Sequence, residues 1–322
     1  MILTVTLNPL LERRLIFKEI ETGKNNRALN EYFTAGGKGI NVSRQLKCMN
    51  TESLAFTFLG GNNGKILRSL LGSEGINFTA VQTKSETRQA ALIMEEAPGR
   101  LTTFFGLNSE ITPQEADEFK TKLKKMIENC EIVVFSGSSP TEVTDDIFPY
   151  GVEVANEFDK ISIVDTYGKT LKECIKKAPT VIHNNIHEVE ASMNASLKSE
   201  KDILDYMQSL YEKGVKQVFL TRGSEPVYAS NFDFLYKAET PRVKELDATG
   251  SGDTFTAAVA YGLHNAMTFE ETLLLAQSLG ALNAASWDVC RVDPGKVTEI
   301  QKEVKIYTLG KKINTLNIKP VE

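Results

Sequence analysis

Six short runs rich in β-branched and aromatic residues recur along the 322-residue chain: ILTVTL (2–7), SLAFTFL (53–59), EIVVFS (131–136), ISIVD (161–165), TVIHN (180–184) and KQVFLT (216–221). Longer stretches of helical period alternate with them, at 39–49, 62–72, 113–129, 141–158, 199–213, 251–265 and 268–286. Thr112-Pro113 with Glu115 three residues after Thr112 is a sharp helix start. Near-continuous apolar strands separated by helices predict an α/β fold: a central, mostly parallel sheet flanked by helices.

Two regions break the alternation, 12–34 and 79–107. In the second, TRQAALIMEE and GRLTTFFG read as paired strands around Pro98-Gly99. Inserted strands of this kind predict a small β lid over the carboxyl ends of the main strands, where ligands of open α/β sheets bind. No internal repeat, long linker or low-complexity segment divides the chain, so residues 1–322 are expected to form one domain. The Lys-rich tail, 306–322, is expected to be loosely held.

With 37 basic and 42 acidic residues interspersed, the net charge of -5 offers no field of one sign for nucleic acid or an anionic membrane. A small-molecule partner is the expectation. MILTVTLNP lacks the pattern of a secretory signal, and no apolar run approaches the ~20 residues of a membrane span, which points to a cytoplasmic protein. Cys48, Cys130, Cys174 and Cys290 are widely spaced, as reduced thiols rather than a disulfide or zinc framework.

Familiar nucleotide motifs fail. YGKT (167–170) ends like a P-loop but has Ile163 where the first glycine belongs, and a GxGxxG starting at Gly250 breaks at Phe255. What the chain has instead is DATGSGDTFTAAVAYG (247–262). Gly250, Ser251 and Gly252 form a turn whose amides can point into a concavity at the positive end of the following helix, a setting for phosphate. Asp253 falls in the first turn, where the helix dipole favours its ionised form and a proton from an attacking hydroxyl could be taken up. The same residues would also serve a plain N-capped helix. TAGGKGINVSRQL (34–46) repeats the theme: a glycine loop with Lys38 in it and Asn41 in the following turn.

Taken together, AGGKGINVSR and DATGSGDTFTAAVAYG resemble the two signature segments of the PfkB, or ribokinase-like, carbohydrate kinases. TLNP (6–9), ETR (86–88), SGSSP (136–140), NNIHE (184–188) and TRGSE (221–225) follow in the family's order. TLNP, GGKGINV and SGSxP are most similar to the phosphosugar branch, that of 1-phosphofructokinase and tagatose-6-phosphate kinase. The resemblance implies a ribokinase-like fold, a lid that makes a homodimer, and transfer of the γ-phosphate of ATP to a sugar hydroxyl. It makes Asp253 the base and the Gly250, Ser251 and Gly252 amides the anion hole. It places Glu12, Gly37 and Asn41 at the sugar; Lys38, Arg88 and Ser138 on the sugar's existing phosphate, joined by Arg27 from the lid; and Thr221, Gly223, Thr249 and Asn283 at the nucleotide. Asn185 and Glu188 match NxxE, which acts through water on Mg²⁺; they also spell a capping box for a helix beginning near 186. His183 and His187, spaced i, i+4, find no third ligand of matching spacing.

Four departures from the family pattern bear on activity. Glu12 stands where Asp is usual, one methylene longer. His183 replaces a lysine near the ATP phosphates, which would tie nucleotide binding to an imidazole titrating near neutrality, unless Arg222 supplies the charge. Pro226 and Cys290 each replace a common glycine, the latter beside the family's monovalent-cation loop, so a role for K⁺ stays open. The leading expectation is a kinase of fructose 1-phosphate, tagatose 6-phosphate or fructose 6-phosphate. Two others stay open: a kinase of an unphosphorylated sugar or nucleoside, and a silent sugar-phosphate-binding regulatory protein.

Overall fold

The computed structural model describes residues 1–311. From the amino terminus the chain forms β1 (Ile2–Thr6), β2 (Leu10–Phe17), β3 (Asn30–Gly36), α1 (Lys38–Cys48), β4 (Ser53–Gly60), α2 (Gly61–Ser73), β5 (Phe78–Thr83), β6 (Gln89–Glu95) and β7 (Arg100–Phe105). Then come α3 (Pro113–Glu128), β8 (Ile132–Ser136), α4 (Ile147–Glu157), β9 (Ile161–Asp165), α5 (Gly168–Lys176), β10 (Val181–Asn185), α6 (Ile186–Met193) and α7 (Glu200–Glu212). The last elements are β11 (Gln217–Thr221), β12 (Val227–Asn231), β13 (Phe234–Ala238), α8 (Ser251–His264), α9 (Phe269–Ala284), α10 (Val297–Ile300) and β14 (Ile306–Lys311).

Ten strands form one sheet in the order β14-β13-β12-β11-β10-β9-β8-β1-β4-β5. The seven strands from β11 to β5 run parallel, and β12, β13 and β14 extend the sheet antiparallel. The α/β architecture read from the six apolar runs is therefore the one observed. Strand periodicity explains why the sheet needs helices on both sides. Val133 and Phe135 of β8 join the core with α3 and α4, while Ile132 and Val134 join the core with α8 and α9. Phe119 of α3 stacks on Phe56 at 3.9 Å between ring centres and lies 4.4 Å from Phe58, pinning its helix to β4. On the other side α8 lies close against α9: a methyl at Gly262 would sit 2.3 Å from Thr272 Oγ1.

A second sheet, β3-β2-β6-β7, stands apart from the first. Its register sorts its side chains into two faces. Thr34, Glu12, Ala90 and Phe105 share one row, and Phe33, Arg13, Ala91 and Phe104 share the next, which points the other way.

Three boundaries differ from the sequence reading. β5 pairs with β4 in the main sheet, so the second inserted segment joins the small sheet only from Gln89. The expected helix over 141–158 divides into a 3₁₀ turn, Glu142–Thr144, and α4, because Pro149 lacks an N–H and is tolerated only in a helix's first turn. Of the tail expected to be loose, residues 306–311 pair with β13 as β14, whose Ile306, Tyr307 and Thr308 are good strand formers; 312–322 lie outside the described residues.

Phe119 is wholly buried between two aromatic neighbours, so Phe119→Ala should lower stability by about 3–5 kcal/mol. Urea unfolding should show a lower midpoint at an unchanged m-value.

Candidate active site

Strand ends and helix starts meet along the carboxyl edge of the main sheet, around a cleft of about 740 Å³. At its centre lie three charges from distant parts of the chain. Lys38 opens α1, Asp165 closes β9, and Asp253 sits in the first turn of α8. Lys38 Nζ donates to Asp165 Oδ1 at 2.9 Å and lies 3.4 Å from Glu188 Oε1. Asp165 also accepts from Ser136 Oγ at 2.9 Å. Burial works against the charge of both partners. For Lys38, Asp165, Glu188 and Asp253 together outweigh it and hold the ammonium protonated. For Asp165, the Lys38 ammonium and the hydrogen bonds from Lys38 and the Ser136 hydroxyl outweigh it and keep the carboxyl below its usual range.

Asp253 is 5 % exposed, and burial pushes its pKa up to about 7, with Lys38 opposing and Asp165 adding to the rise. This corrects the expectation that the helix dipole keeps the carboxylate ionised: desolvation and a second buried carboxylate overcome it. A group poised near neutrality is suited to accept a proton and to release it again. Its orientation is fixed from behind. Asn41 Nδ2 donates to Asp253 Oδ2 at 2.7 Å, Arg44 Nη1 donates to Asn41 Oδ1 at 2.5 Å, and Arg44 Nε is paired with Glu74 at 2.6 Å.

The glycine turn reaches its shape through a left-handed Gly250, φ 79°, where any Cβ would come within 2.5 Å of Val289. Ser251 N–H donates to Ala248 O at 3.1 Å, so the amide expected to bind an anion there is already spent. The N–H groups of Gly252 and Asp253, which a helix's first turn leaves unpaired, remain. Asn283 does not line the cleft. It is 1 % exposed and holds the turn, donating to Thr249 O at 2.8 Å and accepting from the Cys290 amide at 2.8 Å.

Arg88 stands across the cleft. Its Nη2 donates to Asn8 O at 3.0 Å, its Nη1 to Asn108 Oδ1 at 3.3 Å, and its guanidinium lies 5.7 Å from the Phe105 ring centre. Partial burial lowers its pKa, and no carboxylate lies within 4 Å of it among the described residues. Asn8 Nδ2 donates to Ser138 Oγ and to Asn108 Oδ1, each at 3.1 Å, which joins Arg88, Ser138, Asn8 and Asn108 in one hydrogen-bonded cluster. The cleft thus brings together Gly37, Thr221, Gly223, Thr249, Asn185 and Glu188 with Lys38, Arg88, Ser138 and the α8 turn. Arg27 is left out, exposed in the loop between β2 and β3. Asp165, Asn8 and Asn108 were missed by sequence reasoning; an acid closing an apolar strand at the carboxyl edge was the available signal for the first.

His183 corrects a further expectation. It is 2 % exposed, stacked on Phe255 at 4.8 Å, and Nδ1 shares a 2.9 Å hydrogen bond with Thr256. Burial pushes its pKa down to about 4, so the ring is neutral and does not titrate near pH 7. Nor does Arg222 lend its charge: it donates to Leu197 O and pairs with Glu225. His187 sits apart, exposed and beside Glu190, and Asn185–Glu188 forms the expected capping box at the start of α6.

The model of the pfkB family of carbohydrate kinases matches residues 10–294. The chain belongs to that family. It is 33 % identical over 312 residues to the 1-phosphofructokinase of Borreliella burgdorferi, covering 96 % of this chain and all of that protein. It is 30 % identical over 309 residues to a tagatose-6-phosphate kinase of Staphylococcus epidermidis, covering 95 % and 99 %. Among solved structures, phosphofructokinase-2 of Escherichia coli in complex with fructose-6-phosphate aligns with a TM-score of 0.83 at 25 % identity, over 94 % of this chain and 98 % of that one. The same enzyme in complex with potassium gives 0.87 at 24 % identity over the same shares, a likeness of fold. The fold is thus the ribokinase-like one of this family, and the chain is an enzyme of its carbohydrate-kinase class.

Because the folded-state pKa of Asp253 lies above that of an unfolded aspartate, its stabilising protonated form is lost as pH rises from about 4 to about 7. Asp253→Asn should therefore melt above the wild-type chain at pH 8, by a margin that shrinks toward pH 5.

Proposed function

We propose that the enzyme transfers the γ-phosphoryl group of ATP to a hydroxyl of a phosphorylated ketohexose. The observation that carries this reading is that Asp253 and Arg88 line one cleft, a buried carboxyl poised near neutrality and a guanidinium without a carboxylate partner among the described residues. A phosphate already on the sugar suits Arg88, Ser138 and the Asn8–Asn108 pair, since a guanidinium fork matches phosphate oxygens. That leaves the attacking hydroxyl at Asp253, which takes its proton as the bond to phosphorus forms. Gly252 and Asp253 N–H groups, with the positive end of α8, meet the developing charge on the transferred group. Lys38, held charged between Asp165 and Glu188, stands at the same point. Phosphoryl transfer asks for positioning and charge stabilisation more than for a strong base.

Mg²⁺ would be held, through its waters, by Glu188 and Asn185, both of which line the cleft; it would supply charge neutralisation to the phosphates. For K⁺, a fitting oxygen is Asp247 Oδ2, buried beside the glycine turn without a hydrogen-bond partner among the described residues, while Cys290 Sγ packs 3.3 Å from Gly250 O. An unphosphorylated sugar or nucleoside would leave Arg88 without its anion. For the silent regulatory reading, the neutral His183 is the supporting feature. Association of two copies fits the outward row of the second sheet, where Phe33 and Phe104 are 39 % and 61 % exposed on its edge strands.

ADP release from ATP and Mg²⁺ should appear with one or more of fructose 1-phosphate, fructose 6-phosphate and tagatose 6-phosphate, and be slight with unphosphorylated sugars. Asp253→Asn should lower kcat by roughly a hundredfold or more. Turnover that survives this substitution contradicts the proposed base. A melting-temperature rise with sugar phosphate but no turnover would favour the regulatory reading. Arg88→Met should raise the sugar-phosphate KM by about tenfold or more while sparing that of ATP.

Since Asp253 must be ionised to act, kcat/KM should climb with pH through about 7 and level off above it. A flat profile from pH 5.5 to 8.5 would exclude Asp253 as the titrating base.

A further inference from the structure

Arg14 is 2 % exposed, two positions after Glu12 on β2, so both project from the cleft face of the second sheet. A guanidinium is buried at high cost unless a partner compensates it. Glu12 is the one carboxylate within 4 Å among the described residues. Arg14 Nε and Nη2 donate to Glu12 Oε2 at 3.3 and 3.2 Å. Thr34, directly opposite Glu12 on β3, donates to that same oxygen at 3.0 Å. Three donors thus converge on one carboxylate oxygen, fixing a flexible side chain and leaving Oε1 to accept from another group. The carboxylate borders the cleft beside Asn41, which orients Asp253. Behind it, a cavity of about 40 Å³ between Arg14 and Arg44 offers space into which an untethered Glu12 arm could turn.

We propose that Arg14 is a specificity-determining positioning residue: by tethering Glu12 it sets which sugar hydroxyl Oε1 can accept, and hence which ketohexose phosphate is seated with its attacking hydroxyl at Asp253. This rests on the phosphosugar-kinase reading above. Fructose 6-phosphate and tagatose 6-phosphate differ in the direction of a single ring hydroxyl, the kind of difference one fixed acceptor discriminates. A site built to hydrogen-bond a hydroxyl rejects an analogue that misplaces it, because its own polar group is left unpaired. The tether also explains how a carboxylate one methylene longer than aspartate fits here: its extra reach is drawn back onto β2.

The test measures kcat and KM for ATP and for fructose 1-phosphate, fructose 6-phosphate and tagatose 6-phosphate in the wild-type chain, Arg14→Met, Arg14→Lys and Glu12→Asp, with thermal melts of each. Arg14→Met should raise the sugar-phosphate KM on the order of tenfold, change that of ATP by less than about twofold, and level the kcat/KM ranking of the sugars. Lysine, a point charge without the fork, should recover part of the lost KM. Glu12→Asp, too short to meet Arg14 and sugar together, should alter the same ranking. If Arg14→Met does not fold, Arg14→Lys and Glu12→Asp decide. Turnover with the wild-type ranking and sugar KM in those folded variants overturns the role of Arg14 alone. Absence of turnover in the wild-type chain overturns the kinase reading instead.

Discussion

Two buried carboxylates share one ammonium at the heart of this fold. Asp165 and Asp253 would repel one another in a medium that screens poorly, and the Lys38 ammonium, paired with Asp165 and Glu188, attracts both. The sharing is unequal. Asp165 has the direct 2.9 Å contact and stays ionised, whereas Asp253 is left with an amide partner and a pKa near neutrality. Two like groups thus have divergent environments, one held below the usual carboxylate range and one pushed up to about 7. β9, α1 and α8 are held in register by that arrangement, since moving any of them would strand a charge in the interior.

The second sheet answers a different need. The main sheet supplies the glycine turn and the charges, yet its open edge would leave a sugar exposed to water. β2 carries Glu12 and Arg14 toward the cleft, and β7 brings Phe105 against Arg88. Arg14 and Arg44 play parallel parts, each a buried guanidinium behind a polar side chain that faces the cleft, Glu12 for the first and Asn41 for the second. Polar groups pinned from behind lose little freedom when a ligand arrives.

Much of the architecture was legible because apolar strands announce themselves. All six runs became parallel strands of one sheet, and Thr112, Asn185 and the glycine turn marked real helix starts. β12, β13 and β14 were not seen, because VYASN, FLYKA and IYTLGK interleave polar with apolar residues and offer no unbroken apolar run. α5 was hidden by the likeness of YGKT to a failed P-loop. At the site, Asp253 and Arg88, singled out for their chemistry, both line the one cleft. What the sequence could not convey was who partners whom. Lys38 reads as a free grip for a phosphate until Asp165 appears beside it, and His183 as a titrating imidazole until Phe255 covers it. Arg14 looked like one more charge in LERR, since burial of a single arginine depends on a tertiary partner. Cys290, with φ 55°, shows that a place favouring glycine can be held by another residue when its thiol and amide are engaged on Gly250 and Asn283.

The cleft draws its walls from Thr6 near one end of the chain to Ala284 near the other, with contributions from nearly every strand terminus between. No subset of elements holds more than a fraction of the apparatus. The cleft is accordingly a property of the completed tertiary structure: it exists only when segments far apart in the chain have come together.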